Sequence, residues 1–119
     1  MANIYVRSTD GDDLSDGSTW ALAKATMETA AIGALAVATN ADTIWVSDVH
    51  ASTLGAAVAW TLPTADGLKI LCGDDVAEPP TALTATGSGE TTGDFAITFV
   101  AGHGYVYGLI FKSGTGAGN

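Results

Sequence analysis

The sequence predicts a mainly β chain laid down as the first coils of a solenoid behind one N-terminal amphipathic helix. Three observations predict it. Apolar residues recur at three- and four-residue spacings from Trp20 to Ala34 and then stop. Beyond Asn40, short strand-like runs alternate with glycine, proline and aspartate turn signals. The central isoleucines Ile44, Ile70 and Ile97 lie 26 and 27 residues apart, within the range of one solenoid coil. Three marks make a short series, so an ordinary β-sandwich also stays open.

Taken in order, Ile4-Tyr5-Val6-Arg7 has the β-branched and aromatic character of a short strand. The stretch 8–18 is a loop, because Asp10, Asp12, Asp13 and Asp16 make local side-chain hydrogen bonds and Gly11 and Gly17 relax the backbone. A helix is predicted over about residues 19–38. Its stripe is Trp20, Ala23, Met27, Ala30, Ala31 and Ala34, Ser18 or Thr19 caps its start, and Gly33 kinks or ends it. The β coils then occupy about 42–119. Their strand-like runs are 43–47, 57–62, 68–72, 95–100 and 105–112, with turns at Pro63, 66–67, 73–75, 79–80, 87–93 and 102–104. The closing Gly-Thr-Gly-Ala-Gly-Asn offers no cap, so the coil is expected to pair with another chain there or to continue beyond Asn119.

Composition narrows the function. With 119 residues the chain is one domain, and its core must be built largely from small residues, with only three each of Phe, Tyr and Trp. Thirteen acidic against four basic residues give a net charge of -9, which repels phosphate backbones and argues against a nucleic-acid partner. The longest weakly polar run, 30–38, is far shorter than the ~20 apolar residues of a spanning helix, so no membrane attachment is expected. No basic start or apolar stretch marks a signal peptide. An isolated Cys72 cannot form an internal disulfide, in keeping with synthesis in a reducing cytoplasm.

The run Ile4-Tyr5-Val6, the loop Asp10-Gly11-Asp12-Asp13-Leu14-Ser15-Asp16-Gly17-Ser18-Thr19-Trp20-Ala21, a helix, and then Asp42-Thr43-Ile44-Trp45-Val46 together resemble the opening of pectate-lyase-like right-handed parallel β-helix proteins. In that superfamily the helix plugs the mouth of the solenoid and the Asp-Thr-Ile-aromatic-Val run is similar to the first inner strand. Tyr105 to Phe111 resembles a later coil. The resemblance is specific over the first fifty residues and loose after them, and Ala41 stands where members usually carry Gly. Such openings occur in bacteriophage particle proteins and in secreted polysaccharide-active enzymes, so the fold alone does not assign a function.

Each residue able to carry chemistry has a plainer role beside it. The acidic loop could hold Ca²⁺, yet position six from Asp10 is Ser15 rather than Gly and position twelve is Ala21 rather than Glu; turn formation near a helix start is the simpler reading. Asp74, Asp75 and Glu78 could be paired carboxylates for glycoside hydrolysis, but adjacent acids before Pro79-Pro80 read as a solvated turn. His50 and His103 sit in no triad or zinc pattern, and Cys72 reads as a small buried hydrophobe. The cations Arg7, Lys24, Lys69 and Lys112 are scattered, and no cluster stands out that would set a basic residue beside a bound acid, as a lyase-type β-helix needs. Trp45, Trp60, Tyr105 and Tyr107 could stack on sugars, although aromatics on alternating strand positions more often fill a core or an interface.

The expectation is therefore a non-enzymatic bacteriophage virion protein, without metal or cofactor, made in the host cytoplasm and carried in the particle. It would be a capsid decoration (cement) protein or the base of a head or tail fibre, docked on the major capsid protein or another virion protein as a homotrimer. Tyr105, Tyr107, Leu109 and Phe111 are the interface candidates. The alternative is a glycan-binding or glycan-cleaving tailspike fragment.

Overall fold

The structure, a computed structural model, describes residues 2–27, 32–53, 57–84, 88–93 and 97–113. It is mainly β. The strands are β1 (Asn3–Val6), β2 (Thr43–Ser47), β3 (Ala51–Thr53), β4 (Val58–Thr61), β5 (Leu68–Gly73), β6 (Ser88–Gly93), β7 (Ile97–Val100), β8 (Gly104–Tyr107) and β9 (Leu109–Ser113). They form three sheets, ordered β1-β2-β5-β8, β3-β6-β9 and β4-β7, and every ladder between these strands is parallel. From β2 onward the chain visits the first, second and third sheets in turn, repeats the round with β5, β6 and β7, and begins it again with β8 and β9.

Parallel ladders keep register, so side chains of one type line up across neighbouring strands. In the first sheet, Ile4, Ile44, Ile70 and Val106 form one such column and Val6, Val46 and Cys72 the next. Ile44, Val46, Ile70 and Cys72 are fully buried. Trp60 from the third sheet and Leu62 just after it, with Met27, Ala34 and Leu35 from the chain before β2, close the same core. A fully buried branched or aromatic side chain contributes about 1.5–3 kcal/mol, so these columns are what hold the layers together.

The expected register is half right. Ile44 does pair with Ile70, but Ile97 lies on another sheet opposite Val58, and the true continuation of the isoleucine column is Val106. The turn expected over 87–93 is instead strand β6 at Ser88–Gly93, and β3 is a strand the sequence did not announce. The single run 105–112 divides at Gly108, whose φ of 83° turns the chain from the first sheet to the second. A Cβ there would lie 2.1 Å from the Thr84 carbonyl oxygen, so only glycine fits.

The continuous helix expected over 19–38 is not found. The described residues hold a 3₁₀ turn at Trp20–Leu22 and one α-helical turn, α1, at Ala34–Val37. The reason lies in where the backbone hydrogen bonds go. Lys24 N donates to Tyr5 O and Arg7 N to Lys24 O, so this segment lies alongside β1 as a parallel bridge. Asp13 then captures the N–H groups of Ala25 and Thr26 and the Thr26 hydroxyl, donors that a helix would have turned on itself. Gly33, at φ 103°, starts α1 afresh. Ala30 and Ala31 of the expected stripe, 95–96 of the expected fourth strand run, and the 114–119 tail lie outside the described residues.

Just before β2, Ala41 adopts φ 64°, the left-handed region that costs an alanine roughly 1 kcal/mol or more. Replacing Ala41 with Gly is expected to raise stability by roughly 0.5–1 kcal/mol, net of glycine's extra unfolded-state entropy. Urea unfolding checks this, and an unchanged or lower midpoint would contradict it. Next to it, Asp42 ties the N-terminal strand to the turn: its carboxylate accepts from Ala2 N at 2.6 Å, Thr39 N at 2.8 Å and the Thr39 hydroxyl at 3.0 Å. Burial pushes this carboxyl up, but the hydrogen bonds outweigh it and leave it below the usual carboxylate range. A depressed folded value means the bonds stabilise above the unfolded carboxylate range and are lost as pH falls through the folded one. Asp42→Asn should therefore destabilise at neutral pH by about 1–3 kcal/mol and flatten the acid limb of a stability-against-pH curve; an acid limb as steep as the wild type's would contradict the assignment.

Candidate functional site

The acidic loop is a structural device in every described contact. Asp10 pairs with Arg7, Asp12 Oδ1 accepts from Leu14 N, and Asp16 Oδ1 accepts from Ser18 N. Asp13 is the acceptor for Ala25 and Thr26, and its carbonyl takes the Lys24 ammonium at 2.9 Å. Those oxygens already have partners on the protein, and among the described residues no group of three or more His, Cys, Asp or Glu side chains is placed to hold a metal ion. Millimolar Ca²⁺ is expected to leave the unfolding temperature unchanged. A clear rise that disappears in the double variant Asp10→Asn, Asp12→Asn would overturn this.

Asp74, Asp75 and Glu78 are held apart on separate partners. Asp75 accepts from the Ser47 hydroxyl at 2.8 Å and pairs with Arg7 at 3.4 Å; Glu78 Oε1 accepts from Trp20 N at 2.7 Å; Asp74 Oδ2 accepts from the Thr81 hydroxyl at 3.4 Å. Together with the bond from Trp20 Nε1 to Ala77 O, they pin the 74–82 excursion against the N-terminal segment. His50 is buried, and the backbone of exposed His103 bonds Pro63 and Leu68, which fits its expected turn role. Cys72 lies fully buried in the inner column beside Val46.

The interface candidates fall on two different surfaces. Strand alternation puts Tyr105 and Tyr107 of β8 on the outer face of the first sheet, while the intervening Val106 packs on the core. There they continue two columns, Thr43-Lys69-Tyr105 and Trp45-Leu71-Tyr107. At the β1 end, this face is covered by Trp20, whose ring meets Tyr5 edge-on at 4.8 Å and carries the Arg7 guanidinium 5.7 Å from its centroid. Burial first, and the Glu78 carboxylate second, push the Tyr5 phenol up, so it stays protonated there. At the β8 end the face is open: Tyr105 is 59% exposed and Trp45 and Leu71 are half-buried.

Leu109 and Phe111 of β9 face inward instead. Leu109 packs on the core, and the Phe111 ring stands 5.8 Å from Trp60 and 6.1 Å from Phe99, which itself meets Trp60 edge-on at 5.5 Å. Trp60 was a sugar-stacking candidate in the sequence; it is completely buried under these two rings and cannot serve as one. Phe99 and Phe111 remain 48% and 44% exposed, because β7, β8 and β9 are the outermost strands of their sheets and nothing among the described residues lies over them. Sequence reading named Phe111 but missed Phe99. The signal was faint, one alternating position in a run, with its ladder partner Trp60 39 residues away.

Between the loops that lead into β2, β5 and β8 lies an open cleft of about 360 Å³, lined among others by Asp66, Lys69, His103 and Tyr105. The fold thus brings a cation, an acid and an imidazole to the lining of one opening, a grouping the linear sequence did not reveal. Asp42 also borders the cleft, with its carboxylate committed to Ala2 and Thr39. No helix of the described residues is long and apolar enough to cross a membrane. No family model, no curated protein and no solved structure matches the chain.

Proposed function

We propose that this chain is a non-catalytic structural protein of a bacteriophage particle, built as the first coils of a right-handed parallel β-helix and acting through protein contacts. The cyclic visits to three parallel sheets support the coil reading, since short connections between parallel strands favour the right-handed path. The phage assignment rests on the resemblance of the first fifty residues. The observation that carries the contact role is the partly exposed aromatic and apolar strip on the first sheet, half-buried Trp45 and Leu71 with exposed Tyr107 and Tyr105 beside them, on a molecule otherwise strongly acidic. Exposed tyrosines beside half-buried apolar residues are the composition of protein interfaces, where aromatic rings bring large contact area at small entropy cost. A capsid decoration protein or the base of a head or tail fibre would use such a face against the major capsid protein or a neighbouring virion protein.

The test is co-sedimentation of the purified chain with empty shells of the encoding phage. Binding is expected, and Tyr105→Ala with Tyr107→Ala should weaken it by about tenfold or more, as loss of two interface aromatics does. A folded chain with no affinity for particles would overturn the reading.

The cleft beside Lys69 favours a second reading, a glycan-binding or glycan-cleaving tailspike fragment, because an ammonium, an imidazole, a carboxylate and a phenol line one opening. Host-surface oligosaccharides raising the unfolding temperature, with the rise lost in Lys69→Ala, would support it over the first.

A further inference from the structure

We infer that the Asp66-Gly67 turn is a site of spontaneous isoaspartate formation, and that the fold sets it apart from two other Asp-Gly pairs. The sequence holds three such pairs, Asp10-Gly11, Asp16-Gly17 and Asp66-Gly67. In each, the glycine nitrogen can attack Cγ of the protonated aspartate side chain. The new N–Cγ bond closes a five-membered succinimide, and the carboxyl hydroxyl leaves as water with the proton from nitrogen. Water then adds to one of the two ring carbonyls. Opening at the side-chain carbonyl restores aspartate; opening at the main-chain carbonyl leaves the backbone running through Cβ, as isoaspartate. Glycine favours ring closure because no side chain crowds the attacking nitrogen. Two further conditions are a nitrogen free of its own hydrogen bond and a carboxyl that donors do not hold as the anion.

The folded chain withholds both at the two N-terminal pairs. Gly11 N donates to Arg7 O and Gly17 N to Leu22 O, each at 2.9 Å. Both carboxylate oxygens of Asp10 are taken by the Arg7 guanidinium. Asp16 Oδ1 accepts from Ser18 N at 2.9 Å, and the hydrogen bonds to Ser18 hold its carboxyl below the usual carboxylate range. Asp66 differs on each count. Its side chain is exposed at the rim of the open cleft, and among the described residues no donor holds its carboxylate and no acceptor takes the Gly67 N–H. Releasing one backbone hydrogen bond slows ring closure by about tenfold, before the hold on the carboxyl is added. Only the Asp66 pair escapes that barrier.

The product bears on the fold. Gly67 O accepts from Ala41 N at 2.7 Å, and Leu68 N donates to His103 O at 3.1 Å, so these two neighbours tie together the turns that lead into β2, β5 and β8. An extra main-chain carbon at residue 66 displaces both bonds.

Ageing the folded full chain in warm neutral buffer made with heavy-oxygen water, followed by peptide mapping, tests this. Each ring opening adds one heavy oxygen, whichever carbonyl is attacked. Label at residue 66 should lead that at residues 10 and 16 by about tenfold or more. In the urea-unfolded chain the three pairs should label alike. Label at Asp10 or Asp16 equal to that at Asp66 in the folded chain would overturn the inference. So would an unlabelled Asp66, or the same lead of Asp66 in urea, which would trace the difference to local sequence rather than to the fold. Asp66→Glu, whose cyclisation needs a six-membered ring, should lose the label at residue 66. Aged wild-type chain should also unfold at a lower temperature than fresh chain, whereas aged Asp66→Glu should not; an unchanged temperature after full conversion would overturn the structural consequence.

Discussion

Trp60→Ala should destabilise the chain by about 3–5 kcal/mol, the cost of emptying a large buried aromatic site that its neighbours cannot fill. The side chain is fully buried beneath Phe99 and Phe111, so its loss removes the floor on which both rings rest. A second substitution separates volume from polarity. Among the described residues, Trp60 Nε1 is buried without a hydrogen-bond acceptor, and an unmade bond of this kind costs roughly 1–3 kcal/mol. Trp60→Phe gives up ring area but removes that burden, so its net cost should be below about 1.5 kcal/mol. Chemical unfolding of both variants decides the matter; equal losses for Ala and Phe would mean that the indole N–H is satisfied after all.

Trp20→Ala is expected to cost a similar amount, about 3–5 kcal/mol, for a different reason. Trp20 is the rivet of the N-terminal segment. It is 6% exposed, stacks edge-on against Tyr5, lies under Arg7, and donates to Ala77 O at 2.8 Å. Its removal loses the ring contacts with Tyr5 and Arg7 and the bond to Ala77 O, while the residue 20 backbone still donates to Glu78. A loss below about 1 kcal/mol in thermal or urea unfolding would show that residues 17–27 form a loosely held arm rather than part of the folded body.

How far the sequence could be read is clearest at these two tryptophans. Trp20 was legible as a buried anchor before the core strands, but its setting was not. The three- and four-residue spacing of Trp20, Ala23 and Met27 imitates a helix, while Asp13, a loop residue about a dozen positions earlier, takes the backbone donors that the helix needed. No local pattern reports such a competition. Trp60 sat in a correctly read strand, yet its burial depends on Phe99 and Phe111 from two later strands on different sheets. Strands rich in Ile, Val and Leu, such as β2 and β5, announced themselves; β6, Ser-Gly-Glu-Thr-Thr-Gly, has turn composition and is a strand because β3 and β9 flank it. The period failed where the connecting stretches change length: the step from Ile44 to Ile70 is 26 residues, that from Ile70 to Val106 is 36. At the candidate surfaces, Tyr105 and Tyr107 were recognisable from alternation, whereas the meeting of Asp66, Lys69 and His103 at one cleft arises only from stacking their loops.

Nuclear Overhauser contacts in the 11.9 kDa chain give the sharpest check on parallel strand layers held in a fixed register. Methyl contacts are expected to link Ile44 to Ile70, Ile70 to Val106, and Ile97 to its ladder partner Val58. No strong Hα–Hα contacts are expected between these strands, since such close approaches mark antiparallel pairs, with Cα atoms about 4.5 Å apart. A set of Hα–Hα contacts joining β2 to β5 or β5 to β8 would contradict this register, replacing the stacked parallel layers with an antiparallel sandwich.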